Sequence, residues 1–153
     1  MKEKATKEGT EAYAVKQQMN GASPSAYREL GRTLLKCSFV GFGTYRIDEE
    51  TTDHINALDK ALVSGCNLID TSTNYTNGGS EKCVGKILKS VTERGSLSRQ
   101  GIIVVSKVGY VQGENLEIAQ EQEEMGVPYP EMVKYMDGCW HCLHPKFIRD
   151  QLD

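Results

Sequence analysis

Three side chains in this sequence would combine into a proton donor if the fold brings them together: Asp70, Tyr75 and Lys107. Asp70 ends the short apolar run at residues 67–70, and Tyr75 follows it by five positions, just ahead of Gly78, Gly79, Ser80 and Glu81. Lys107 ends a second run, residues 101–107, whose centre from Ile102 to Val105 is entirely β-branched. A phenol has an ordinary pKa of about 10 and is a poor acid near neutrality. An ammonium about 4 Å away, at an effective dielectric of about 20, favours the phenolate by roughly 4 kcal/mol. A carboxylate beside the ammonium keeps it charged and oriented while offsetting part of its pull. Such a trio delivers a proton to a developing alkoxide. The plain alternative takes each residue alone: Asp70 caps a loop, Tyr75 is a half-buried rim residue and Lys107 is a solvated strand end. The chemical reading requires the Lys107 ammonium to lie within about 6 Å of both other groups.

Elements able to position these residues are visible in the pattern. The run at residues 101–107 suits a parallel strand buried on both faces, and residues 67–70 read as its neighbour. A helix is expected from Thr51 or Thr52, with Ile55, Leu58 and Leu62 on one face and Gly65 as its stop. A second opens at Ser80, with Val84, Ile87, Leu88 and Val91 at helical spacing. A first strand is expected at residues 37–40, running into the turn from Gly41 to Thr44, and residues 27–35 read as a hairpin around Gly31 and Arg32. Residues 1–26, rich in Lys, Glu, Gln and Ser, read as a flexible arm. Residues 108–144 read as a long irregular segment, either part of a pocket rim or a surface insertion. Their acidic stretch at residues 114–124 reads as a solvated loop or helix face. A last helix opens at Pro145, with Phe147, Ile148 and Leu152 as its apolar face.

The alternation of strands and helices predicts an α/β fold with a parallel sheet and right-handed crossovers. It does not separate a doubly wound sheet from a barrel. In either, the loops after the strands gather on one face, where the chemistry sits. Adjacent parallel strands lie about 4.8 Å apart, so Asp70 and Lys107 are within reach of each other.

The stretches GFGTYR, IDTSTNY followed by GGSE, and VVSKVGY, in that order, resemble the aldo-keto reductase family. The likeness covers residues 27–110 and resumes at His144. It implies the N-terminal portion of a (β/α)8 TIM barrel, about three β/α units plus the hairpin that closes the bottom, at residues 27–153. By that resemblance Tyr75 is the general acid, and Asp70 and Lys107 tune it. Gly43, Thr44, Tyr45 and Asp70 lie by the same resemblance against the nicotinamide end of NADP(H), and the substrate is an aldehyde or ketone. The family's catalytic histidine ends the fourth strand, and His54, His141 and His144 do not match it. A full barrel takes about 250 residues, so the chain is expected to be truncated after the start of the third helix and inactive alone. The alternative is a non-catalytic binding or regulatory protein on the same scaffold.

The 153 residues suffice for one domain, and 39% apolar with 25% charged residues suits a soluble globular chain. A net charge of −3 gives no footprint for nucleic acid. No apolar run reaches bilayer length and no secretory signal is evident, so a cytoplasmic location is expected. The five cysteines are then reduced. Cys139, Cys142 and His144 have a metal-like spacing, but no second ligand pair accompanies them, and local loop structure without a metal is expected. An open sheet edge at residues 102–105 is expected to favour self-association.

Overall fold

The computed structural model describes residues 3–152. Its N-terminal stretch differs from the flexible arm expected at residues 1–26, of which Met1 and Lys2 lie outside the described residues. Lys7–Met19 form helix α1. The Thr6 hydroxyl caps it, accepting from the Gly9 N–H at 3.0 Å. Tyr13 and Ala14 are buried, and the Tyr13 hydroxyl donates to the Leu62 carbonyl. Gly9 lets the helix settle on the turn at Arg99–Gly101, where a Cβ would meet the Gln100 carbonyl oxygen at 2.5 Å. The other buried positions of α1 are polar, Thr10 and Gln17. Its buried face therefore carries no apolar stripe, which is why composition alone suggested an arm.

Strands β1 (Tyr27–Glu29) and β2 (Lys36–Ser38) pair antiparallel, with Tyr27 opposite Ser38. The hairpin thus reaches further than residues 27–35. A turn at Gly31–Thr33 and the left-handed Leu34 (φ 61°) lengthen its connection and draw Cys37 into the second arm. The first strand of the parallel sheet moves accordingly from residues 37–40 to β3 (Phe42–Gly43). Phe39 and Val40, expected inside that strand, are exposed.

Helix α2 (Thr52–Val63), strand β4 (Leu68–Asp70), helix α3 (Gly79–Glu93) and strand β5 (Ile103–Val105) follow. The parallel sheet is open, in the order β3-β4-β5, with Gly43 beside Asp70 and Asp70 beside Val105. Leu58 and Leu62 of α2 and the expected stripe of α3, Val84, Ile87, Leu88 and Val91, fill the core against Ile69 and Ile102. Each such side chain contributes about 1.5–3 kcal/mol by leaving water. Asn67 is fully buried and fastens the hairpin to the sheet. Its Oδ1 accepts from Ser38 N–H at 2.8 Å, and its Nδ2 donates to the carbonyls of Lys36 (2.9 Å) and Gly101 (3.0 Å).

β5 is shorter than residues 101–107, because Gly101 belongs to the preceding turn. Its burial on both faces holds only at the start. Ile102 and Ile103 are buried and Val105 is 42% exposed. The apolar edge expected at residues 102–105 narrows to Val105 with the half-buried Val104.

Residues 108–144 are ordered rather than irregular. Strand β6 (Tyr110–Val111), helix α4 (Glu114–Glu124), and strands β7 (Val133–Met136) and β8 (Cys139–His141) build an antiparallel sheet in the order β6-β8-β7. Asp137 and Gly138 turn the β7–β8 hairpin, with Gly138 at φ 74°. The acidic stretch is the outer face of α4, which buries only Ala119. Helix α5 (Pro145–Asp150) closes this unit through Phe147. Leu152, expected on its apolar face, is exposed. Cys139 and Cys142 are buried, and Cys142 packs with Val111, Trp140 and Phe147. They belong to a strand and its end, not to a loop.

Candidate active site

The parallel register places Asp70 and Lys107 on the same rim. Thr71 N–H bonds the Val105 carbonyl at 2.8 Å and Thr73 N–H bonds the Lys107 carbonyl at 3.2 Å, extending the β4–β5 pairing past both strand ends. The Lys107 ammonium donates to Asp70 Oδ1 at 2.6 Å, to the Thr71 carbonyl at 2.8 Å and to the Tyr75 hydroxyl at 3.1 Å. Both charged side chains are about half exposed, 46% for Lys107 and 47% for Asp70. Desolvation pulls the Lys107 ammonium down. Its hydrogen bonds to Asp70 and Tyr75 outweigh that and hold it above the ordinary lysine range. The three residues singled out by their spacing thus meet.

Tyr75 is aimed by a constrained turn. Thr76 (φ 48°) and Asn77 (φ 52°) are both left-handed, a conformation that costs non-glycine residues of order 1–3 kcal/mol. The Thr76 hydroxyl anchors the turn by donating to the Ile47 carbonyl at 2.8 Å. Tyr45 stands edge-on to the Tyr75 ring, with centroids 5.1 Å apart and planes at 85°. Together these hold the phenol over the rim.

Thr44 lies beneath the rim, fully buried. Its hydroxyl donates to the Asp70 carbonyl at 2.9 Å and lies 2.6 Å from Ser80 Oγ, which in turn lies 2.9 Å from Thr71 Oγ1. This hydroxyl cluster joins β3, β4 and the start of α3, and it occupies the Thr44 side chain. Gly43 sits differently: nothing lies within 4 Å of where its Cβ would be. Tyr45 is exposed. Sequence reading missed Ser80 and Thr71, since small hydroxyl residues at loop ends look like ordinary turn chemistry.

An open cleft of about 660 Å³ separates Tyr75 and Lys107 from the antiparallel sheet. Tyr110, Gln112, Tyr135, Met136 and His141 form its far wall, so residues 108–144 do border the pocket. Asn74 spans the two sides: its Oδ1 accepts from Ser72 at 2.6 Å and its Nδ2 donates to Gln112 Oε1 at 3.2 Å. His141, unmatched to any role by sequence, stands edge-on to Tyr110 at 5.3 Å. His54 instead accepts from the Asp48 N–H at 3.2 Å, and His144 caps α5. Burial pushes the Cys37 and Cys83 thiols above their ordinary range, which suits packing rather than nucleophilic chemistry. Among the described residues no group of three or more His, Cys, Asp or Glu could hold a metal ion.

The Aldo/keto reductase family matches residues 40–138 of this sequence. The uncharacterized oxidoreductase YqkF of Bacillus subtilis (strain 168) is 32% identical over 82 residues, which are 54% of this chain and 24% of that protein. The holo form of aldo-keto reductase AKR11C1 from Bacillus halodurans matches with a TM-score of 0.58 at 27% identity, over 82% of this chain and 33% of that one. A thermostable aldo-keto reductase, Tm1743, solved with the inhibitor epalrestat, matches over 69% of this chain and 44% of its own, at 25% identity and a TM-score of 0.48. This chain spans about a quarter of the curated relative and a third of the AKR11C1 chain. Its open α/β sheet, with the hairpin before it, is the N-terminal portion of a (β/α)8 barrel.

Proposed function

This chain belongs to the aldo/keto reductase family, and on that premise we propose that Asp70, Tyr75 and Lys107 are the proton-donating part of an NADP(H)-dependent reductase of aldehydes and ketones. The observation that carries this is the Lys107 ammonium, 2.6 Å from Asp70 Oδ1 and 3.1 Å from the Tyr75 hydroxyl. As a carbonyl is reduced, negative charge grows on its oxygen. Tyr75 gives that oxygen its proton. Lys107 stabilises the phenolate left behind, and Asp70 keeps Lys107 charged and aimed. A positioned general acid contributes about 10²–10⁴-fold.

The residues present fit the nicotinamide end of the cofactor. Gly43 leaves open space at the strand end, with nothing within 4 Å of a Cβ position. Tyr45 flanks it, while Thr44 acts through the loop it holds rather than through its engaged hydroxyl. NADPH, when bound, supplies the hydride. Among the described residues Lys107 is the one lysine or arginine lining the cleft and is already paired, so groups elsewhere must anchor the phosphates. Orienting two reactants is worth about 7–11 kcal/mol in favourable cases, so the 153-residue chain alone should not turn over. All five cysteines are free, in keeping with a cytoplasmic setting. Among the described residues no helix is long and apolar enough to cross a membrane.

The test is NADPH oxidation with a panel of aldehydes, comparing this chain with a version extended to a full barrel, each with and without Tyr75→Phe. Activity confined to the extended version, and lost on Tyr75→Phe, is expected. Full activity in the extended Tyr75→Phe variant would refute the acid assignment.

A further inference from the structure

We propose that Ser80 and Thr71 are positioning residues for Lys107, acting through a one-way chain of buried hydroxyls that starts beside one Lys107 contact and ends behind another. The proposal rests on the proton-donor reading of Asp70, Tyr75 and Lys107 and adds the groups that hold Lys107 in place.

The direction of the chain follows from where each proton can go. Thr44, Thr71 and Ser80 are all buried, and a hydroxyl has a single proton to give. The Asp70 carbonyl can only accept, so Thr44 spends its proton there, at 2.9 Å. The 2.6 Å contact between Thr44 Oγ1 and Ser80 Oγ also needs a proton, and Ser80 supplies it. Ser80 in turn accepts from Thr71 Oγ1 at 2.9 Å. The order is Thr71 to Ser80 to Thr44 to the Asp70 carbonyl, with every donor paired. Hydrogen bonds aligned head to tail polarise one another in a low-dielectric interior.

Both ends of this chain reach Lys107. The ammonium has three protons and places them on Asp70 Oδ1 at 2.6 Å, the Thr71 carbonyl at 2.8 Å and the Tyr75 hydroxyl at 3.1 Å. Two of those acceptors belong to the residues that end and begin the chain. Thr71 is held twice, by its hydroxyl on Ser80 and by its N–H on the Val105 carbonyl at 2.8 Å. That fixes where its own carbonyl points, and hence how the ammonium must turn to serve all three acceptors. Ser80 lies in the first turn of α3, whose preceding residue, Gly78, offers no side-chain cap. Its hydroxyl therefore also couples the helix to the rim. A cluster that only satisfied buried polar groups would leave the state of Lys107 untouched when altered, and a positioning chain would not.

NMR titration of the lysine side chains in the 153-residue chain tests this, with the Lys107 signal identified by its absence in Lys107→Met. Thr71→Val removes one hydroxyl and nearly keeps the shape, Thr71→Ser keeps the hydroxyl, and Ser80→Ala breaks the chain at its middle. Lys107 should titrate lower in Thr71→Val and Ser80→Ala than in wild type, and as wild type in Thr71→Ser. Val91→Ala, which opens a buried position further along the same helix, should leave it unchanged. In a version extended to a full barrel, Thr71→Val should lower kcat about 2- to 13-fold, the worth of one hydrogen bond, with KM for NADPH unchanged. The double variant should fall no further than the larger single loss, since the two residues act as one unit. Lys107 titrating as wild type in both Thr71→Val and Ser80→Ala would overturn the proposal. So would an equal displacement in Val91→Ala, or a Thr71→Ser chain that behaves like Thr71→Val. Because the titration needs no turnover, its failure is distinguishable from failure of the Tyr75 acid assignment, which is read by activity.

Discussion

The side chain of Asn74 donates to Gln112 Oε1 at 3.2 Å and so ties the loop carrying Tyr75 to the residue that follows β6. Tyr75, the proposed general acid, is thereby braced from the far side of the cleft as well as from its own strand. A neutral hydrogen bond of this kind contributes about 0.5–1.5 kcal/mol, too little to unfold the chain but enough to loosen a turn. In Gln112→Ala the amides of residues 72–77 should exchange hydrogen faster while those of α3 stay unchanged. Unaltered exchange across residues 72–77 would show that the brace is inert.

Lys107 gives a pH signature. Its ammonium is held above the ordinary lysine range by Asp70 and Tyr75. A raised folded-state pKa contributes stability that is complete below the unfolded value, about 10.4, and is lost as the pH rises through the folded value. Urea unfolding followed upward from about pH 9 should show wild type losing stability relative to Lys107→Met only above about pH 10.4. Because both partners are about half exposed, the difference should be small. A difference that instead disappears below neutrality would contradict the sign.

Asn67 is the buried polar link of the fold. Asn67→Ala strips partners from Ser38 N–H and from the carbonyls of Lys36 and Gly101. Each buried group left unpaired costs about 1–3 kcal/mol, so a loss of about 3 kcal/mol or more is expected in denaturant unfolding. Leu62→Ala, a fully buried position of α2, should cost about 2–5 kcal/mol by leaving a cavity. An Asn67→Ala loss below about 1 kcal/mol would mean that water replaces those bonds.

We also propose that the isolated chain self-associates through the free edge of β5, where Val105 is exposed. Sedimentation should detect species larger than the monomer, reduced in Val105→Lys, a charge of the kind that blunts edges. A wild-type chain that sediments as monomer at all concentrations would rule this out.

How much of this was legible in the sequence depended on how each segment hides its apolar groups. The stripe Val84, Ile87, Leu88 and Val91 announced α3 because helical spacing and burial coincide there. α1 was hidden because Thr10 and Gln17 share its buried face. The antiparallel unit was hidden because its strands are two to four residues long and every residue of β7 is exposed, leaving no alternation to read. Asp137 followed by Gly138 was the one signal that could have found it. At the site, Asp70 and Lys107 were legible since a charged residue that ends an apolar run has few structural reasons to be there. The Thr44–Ser80–Thr71 cluster gave no such contrast.

The seat of α1 on the turn before β5 has a practical consequence. Gly9 and Gln100 meet at the end of the sheet where β5 begins, whereas Lys107 follows the opposite end of the same strand. Alterations at the two ends share no partners, and effects of well-separated changes add nearly independently. A bulky residue at Gly9 should therefore lower the melting temperature while leaving the ligand preference of the cleft as it was. The sheet works as a spacer that lets robustness be engineered at its foot and selectivity at its mouth, one without disturbing the other.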